Sequence, residues 1–153
     1  MKVVIQRVKE GKVVVNGETA GEIGKGIVAL IGFEKGDIYS FLEKMAEKII
    51  NLRIFEDKEG KMNLSLKDIK GKLLLVPNFT LAADCRKGRR PSFQSSENPE
   101  AAKKMFDKFV EICRDQIPVE TGIFGAEMEV YILNNGPVTF ILDSRELFQG
   151  GLS

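Results

Sequence analysis

The sequence predicts an α+β fold, an open sheet or partly closed barrel with two helices lying over it. Short apolar runs bounded by turn residues fill the first third and the end of the chain, two longer segments carry helical periodicity, and the two kinds do not alternate as a parallel sheet with regular crossover helices requires. The first strands read as Lys2–Val8, then Lys12–Asn16 and Thr19–Ile23 around Asn16-Gly17, then the apolar run Gly26–Phe33, with local pairing as the simplest arrangement. Asp37 is placed to cap a helix from Ile38 to Asn51, in which Phe41, Leu42, Met45 and Ile49 share one face. Strands around Leu52–Glu56 and Leu73–Phe79 follow, separated by the turn Asp57-Lys58-Glu59-Gly60. Asn98-Pro99 reads as a cap followed by proline at the first helical position. The second helix, from Pro99 to about Gln116, carries the apolar stripe Ala102, Met105, Phe106, Phe109 and Cys113. Two last strands, Val130–Leu133 and Val138–Leu142, flank Asn134-Asn135-Gly136-Pro137.

A chain of 153 residues, 43% of them hydrophobic, suits one domain that buries about 68–70% of its unfolded surface. Lys2 is the only charged residue before the short run Val3-Val4-Ile5, which Gln6 and Arg7 interrupt, so neither a signal peptide nor a membrane span is expected and the protein reads as cytoplasmic. Cys85 and Cys113 lack the paired spacing of a zinc site and read as structural or incidental. A net charge of +1, from 23 basic and 22 acidic residues, excludes a globally basic nucleic-acid coat. The one basic patch is Arg86-Lys87-Gly88-Arg89-Arg90, either a solvated loop or a local phosphate contact. Histidine is absent, so no Ser-His or Cys-His nucleophilic pair exists.

Two segments carry the functional signal. In Asn134-Asn135-Gly136-Pro137-Val138-Thr139 the glycine permits close approach, and the proline holds φ near about −65° while removing a donor. This is either a hairpin connection or a rigid wall of backbone offered to a ligand. Leu75-Val76-Pro77-Asn78-Phe79-Thr80-Leu81 is an apolar strand that ends in polar residues where the charged loop Asp84 to Pro91 begins. Thr80 reads on its own as an ordinary β-branched strand residue, and Phe79 as a core aromatic.

Together with Gln6-Arg7-Val8, Arg53-Ile54-Phe55, Gly60-Lys61-Met62-Asn63-Leu64 and Arg90-Pro91-Ser92-Phe93, these segments resemble the D-aminoacyl-tRNA deacylase family, from Met1 to about Asp143. The resemblance sharpens the expected fold to a barrel-like, mostly antiparallel β-sheet with two covering helices, forming a homodimer. It sets residues 1–143 as the domain and 144–153 as a tail whose Gly150-Gly151 end reads as mobile. One departure stands out: the family's Ser-Gln before Phe-Thr-Leu is Pro77-Asn78 here.

The implied activity is hydrolysis of the ester of D-aminoacyl-tRNA, and of mischarged glycyl-tRNA, with L substrates rejected. The implied partner is the 3′ end of aminoacyl-tRNA, with no cofactor and no metal. Such an ester is already activated, so an oriented water and a site for the developing oxyanion suffice. Backbone N–H groups around Asn78, Phe79 and Thr80 are the candidates, with the Thr80 hydroxyl orienting water. The terminal ribose hydroxyl of the RNA is the implied substitute for a protein base. Among side chains, Asp84 is near enough in sequence to be considered as a base, while Glu127 and Asp143 read as solvent or pairing charges.

Phe93, beside arginines, is placed to stack on the terminal adenine. The resemblance implies that Gly136-Pro137 is cis and reaches from one subunit into its partner's site, where paired carbonyls hold the substrate ammonium and leave no room for an L side chain. It implies that Arg7 fixes this dipeptide, although a strand arginine is ordinarily a surface charge. Two other readings stand beside this one: a tRNA-binding module without catalysis, anchored by the Arg86–Arg90 loop, and a related editing deacylase with relaxed chirality.

Overall fold

Asn16 and Gly17 take positive φ values of 51° and 79°, the pair that a two-residue type I′ turn needs, and the chain reverses there between its first two strands. The computed structural model describes residues 1–149. In order, its elements are β1 (Lys2–Val15), β2 (Glu18–Ile23), β3 (Gly26–Gly32), α1 (Ser40–Asn51), β4 (Phe55–Glu56), β5 (Met62–Leu64) and β6 (Lys72–Pro77). A 3-10 turn at Phe79–Ala82 is followed by α2 (Pro99–Arg114), β7 (Val119–Thr121), β8 (Glu129–Asp143) and a short helical turn at Arg145–Gln149. The expectation for Gly150-Gly151 lies outside the described residues.

β1 organises the sheet. Its first half pairs with β3 and its second half with β2, while β8 runs antiparallel to it from Lys2↔Asp143 to Val14↔Glu129. The two strands expected at Lys2–Val8 and Lys12–Asn16 are therefore one, because a single long partner spans both. β3 pairs parallel with β6, and β6 parallel with β7. Each parallel step is bridged by a helix-containing connection, α1 for the first and α2 for the second, as parallel neighbours require. The wall nearly closes where β2 meets β7: a β-carbon on Gly21 would stand 2.6 Å from the Thr121 carbonyl oxygen. The result is a barrel-like sheet, antiparallel around β1 and parallel across β3, β6 and β7.

Both faces of β3 and β6 are buried, which explains their unbroken apolar sequences. Ile27, Ala29, Ile31, Leu73 and Leu75 pack under the helices. Val28, Leu74 and Val76 fill a second core inside the barrel with Val8, Val13 and Ile23. Where the run begins, Gly26 lies so tightly on β6 that a β-carbon would be 1.9 Å from the Lys72 carbonyl oxygen. α1 buries Phe41, Leu42, Met45, Ala46, Ile49 and Ile50; α2 buries Ala102, Met105, Phe106, Phe109, Val110 and Cys113.

The Asn98 side chain caps α2 as expected, accepting from the Ala101 N–H at 2.8 Å, with Pro99 at the first position. Asp37 does not cap α1, which begins at Ser40 after Tyr39. A stronger partner takes its carboxylate: the Met1 ammonium stands 2.6 Å away, and the Glu34 N–H donates to the same oxygen at 2.7 Å. The tail after Asp143 continues against the body, where the Ser144 hydroxyl accepts from the Met1 ammonium and Phe148 packs near Phe41.

Candidate active site

β6 ends two residues earlier than expected. Pro77 is its last residue, the Asn78 N–H still donates to the Ile31 carbonyl at 2.7 Å, and the chain then tightens into the 3-10 turn Phe79–Ala82. This corrects the expectation of a strand running through Phe79. It also corrects the reading of Phe79 as a core aromatic, since the turn swings the ring outward to 58% exposure. Thr80 is likewise a turn residue instead of a strand residue. The first donors of such a turn have no partner within it, and among the described residues the Phe79 and Thr80 N–H groups donate to no protein acceptor. The Thr80 hydroxyl donates to the Asn78 side-chain oxygen at 2.6 Å, so its own oxygen keeps lone pairs free to accept. Asn78, in place of the longer amide, thus folds back onto Thr80.

The loop after this turn returns beside it. The N–H of Asp84 donates to the Ser92 carbonyl and that of Ser92 to the Asp84 carbonyl, both at 2.8 Å. Phe93 follows, 42% exposed, with its ring centroid 5.2 Å from that of Phe79 and the planes tilted by 57°. The two rings, with Pro77, Phe124 and Met128, line a pocket of about 540 Å³ whose polar rim includes Lys35. Asp84 is not free to act as a base. Arg86 grips it with its side chain at 2.9 and 2.8 Å and with its backbone N–H at 3.0 Å, and this holds the carboxyl down at about 2. Asp143 accepts from the Arg145 N–H, a local cap. Burial pushes the Cys113 thiol up to about 12, whereas Cys85 is exposed.

The Gly-Pro segment is not a hairpin. Both flanking runs pair with the same neighbour, Gln6↔Thr139 on one side and Val8↔Asn134 on the other, so residues 135–138 bulge out opposite Arg7 alone. The corrected element is one strand with a four-residue bulge. Gly136 has φ +146°, the Gly136–Pro137 peptide bond is cis, and both residues are exposed.

Arg7 is only 5% exposed, unlike an ordinary strand arginine. Its Nε donates to the Asn135 carbonyl at 3.1 Å and its Nη1 to the Ile54 carbonyl at 2.8 Å. Sequence reasoning assigned Asn134 no role, yet its amide donates to the Arg7 carbonyl at 2.9 Å and to the Val138 carbonyl at 3.0 Å, pinching the base of the bulge. Its residue type was the available signal, since asparagine amides bond to the backbone of turns they open.

The structure brings Asn78, Phe79, Thr80 and Phe93 together at one end of the sheet and Arg7, Asn134, Gly136 and Pro137 at another. It does not join the two groups within one chain. The bulge lies opposite Arg7, which pairs with Ile27 and through it with Leu73, four residues before Pro77. Measured over the sheet, that is about 13 Å along the strands and about 14 Å across three strand spacings. Among the described residues no group of three or more metal-ligating side chains gathers, and no helix is long and apolar enough to cross a membrane.

The chain resembles known proteins over most of its length. Residues 4–143 match the family described as D-Tyr-tRNA(Tyr) deacylase. The chain is 54% identical over 149 residues to a D-aminoacyl-tRNA deacylase of Thermosipho africanus, covering 97% of this chain and all of that one. It is 51% identical, with the same coverage, to a D-aminoacyl-tRNA deacylase of Clostridium acetobutylicum. The solved structure of a c-Myc DNA Unwinding Element Binding Protein superposes with a TM-score of 0.89 at 40% identity, over 94% of this chain and 98% of the other. The chain belongs to the D-Tyr-tRNA(Tyr) deacylase family, hydrolases that release a D-amino acid from tRNA.

Proposed function

We propose that this protein hydrolyses the ester of D-aminoacyl-tRNA at the strand end 78–80, with Gly136-Pro137 of a second copy as the wall that rejects L substrates. The observation that carries the reading is the pair of unpartnered N–H groups at Phe79 and Thr80, at the mouth of an aromatic pocket. The terminal adenine stacks on Phe93. The ester carbonyl then lies over the two N–H groups, which stabilise the oxyanion as water adds; losing one such donor raises a barrier by about 2.7–4 kcal/mol. The Thr80 oxygen, its own proton committed to Asn78, accepts from the water. The ribose hydroxyl beside the ester takes the part of the missing histidine, so no metal is required.

A second copy is needed because the bulge lies too far from the strand end of its own chain. The free edge of β8, with Tyr131, Leu133 and Ile141 exposed, gives a homodimer a surface to form on. Arg7 and Asn134 hold the bulge so that its carbonyls receive the substrate ammonium. A side chain of L configuration meets the wall, one of D configuration points away, and glycine has none to exclude, so glycyl-tRNA is also cleaved. Nothing in this scheme uses a membrane, and the cytoplasm, where tRNA is charged, is the proposed location.

The test is deacylation of D-Tyr-tRNA, L-Tyr-tRNA and Gly-tRNA by purified protein without added metal. D and glycyl substrates are expected to turn over and the L substrate to survive. Equal cleavage of D and L esters would remove the wall, and tRNA binding without turnover of any ester would make the chain a binding module.

A further inference from the structure

The loop between the two aromatic rings has a use that the ester chemistry leaves open. Residues 85–91 are all exposed, held as a projecting tip by the Asp84–Ser92 bridge. Of the four cations on it, Arg86 is taken by Asp84, while Lys87, Arg89 and Arg90 have no ion-pair partner among the described residues. A chain with net charge +1 thus concentrates three uncompensated cations on one short tip. Arg90 precedes the exposed ring of Phe93 by three residues, a backbone reach of at most about 10 Å. Cations that follow a phosphate backbone beside an aromatic that receives a base are the usual make-up of a single-strand binding surface.

We infer that Lys87, Arg89 and Arg90 bind the backbone phosphates of the RNA next to its terminal adenosine, so that this tip supplies affinity for tRNA separately from the ester site. The inference rests on the deacylase reading for the identity of the RNA. The Asp84–Arg86 pair belongs to the same device: it fixes the base of the tip and leaves the other three cations to the ligand. Binding through such contacts falls with salt, because each neutralised phosphate releases counterions.

The experiment is fluorescence anisotropy of end-labelled, uncharged tRNA with the full-length protein between about 50 and 200 mM potassium chloride. The triple variant Lys87→Ala, Arg89→Ala, Arg90→Ala is expected to bind at least about tenfold more weakly at the low-salt end. Its slope of log affinity against log salt is expected to be shallower by about two to three. The charge-retaining exchange Lys87→Arg, Arg89→Lys, Arg90→Lys is expected to restore both. Equal affinity and slope in wild type and the alanine variant would overturn the inference, as would weaker binding with an unchanged slope, which would make the tip a matter of shape. Absence of ester turnover in the wild type would count against the deacylase reading alone, since uncharged tRNA binding needs no chemistry.

Discussion

The bulge at residues 135–138 and the strand end at residues 78–93 present backbone in opposite ways. The bulge is tied down by two side chains from elsewhere in the chain or from its own base: buried Arg7 reaches it across 128 residues of sequence, and Asn134 pinches it with two bonds. The side-chain bonds of the strand end are local, Thr80 to Asn78 and Asp84 to Arg86, and it keeps its rings and two N–H groups open. On the proposed reading, the part that excludes L substrates is rigid in its own right, and the part that stabilises charge keeps free donors whose order the substrate completes.

The largest effect that separates the two is expected from Arg7→Ala. It removes two charge-assisted bonds to the Asn135 and Ile54 carbonyls and is expected to cost about 2–4 kcal/mol in urea unfolding. It also releases the wall, so the ratio of D to L deacylation should collapse. Arg7→Lys cannot span both carbonyls and should recover stability in part without recovering the ratio. Full recovery by lysine would show that charge alone matters there.

Gly136→Ala comes next. At φ +146° an added β-carbon would stand 2.5 Å from Val138 Cγ2 and 2.6 Å from its backbone nitrogen, so the bulge must shift. Displacement of about 1 Å costs about 100-fold in turnover, and this loss should appear for D and glycyl substrates alike while the melting transition persists. Unchanged rates would leave the bulge without a role at the site. Asn134→Ala should lower unfolding stability by about 1–3 kcal/mol, because two carbonyls lose their donor.

On the strand-end side the effects shrink. Thr80→Ala removes one exposed hydroxyl bond and should slow turnover by about tenfold or less. Loss of all activity in this variant, together with an acyl-threonine trapped on the wild-type protein, would replace the ribose-assisted route by covalent catalysis.

Asp84→Asn should change kcat at neutral pH by no more than about twofold, against the hundredfold or more expected for a lost general base. The Asp84 carboxyl is depressed from 3.8 to about 2 by Arg86. Its pairing is therefore complete above the ordinary carboxylate range and is lost only as pH falls through about 2. A rate profile from about pH 5 to 8 should show no step that Asp84→Asn removes.

Features set by neighbours in sequence were legible before any coordinates. Asn16-Gly17 makes its turn, Asn98-Pro99 its cap, and the two amphipathic stripes bury the residues their spacing selects. Features set by distant partners were not. Whether Asn134 to Thr139 forms a hairpin or a bulge depends on which strand its flanks pair with, and that strand is β1, at the other end of the chain. Asp37 carries the residue type of a cap, but the Met1 ammonium outcompetes the helix for it. Phe79 reads as core because it continues an apolar run, and only the end of pairing at Pro77 turns it outward. Of the site, the residue types at 78–80 and 136–137 were visible in the sequence. The hold of Arg7 on the bulge was legible only through the family resemblance, and the bonds from Asn134 that pinch its base were not legible at all.

The two-sided burial of β3 and β6 carries a consequence for how the sheet finds its alignment. A strand with one wet face is kept in register by hydrophobicity, since a slip of one residue would turn its polar side inward. Here a slip would exchange Ile27, Ala29 and Ile31 for Val28 and Leu30, and nothing polar would be lost or gained. Shape must do the aligning instead. Only a residue without a β-carbon can lie against the Lys72 carbonyl oxygen, and a one-residue slip in either direction would put Lys25 or Ile27 there. Gly26 is therefore an index mark: a position at which two otherwise interchangeable greasy strands can be told where to start.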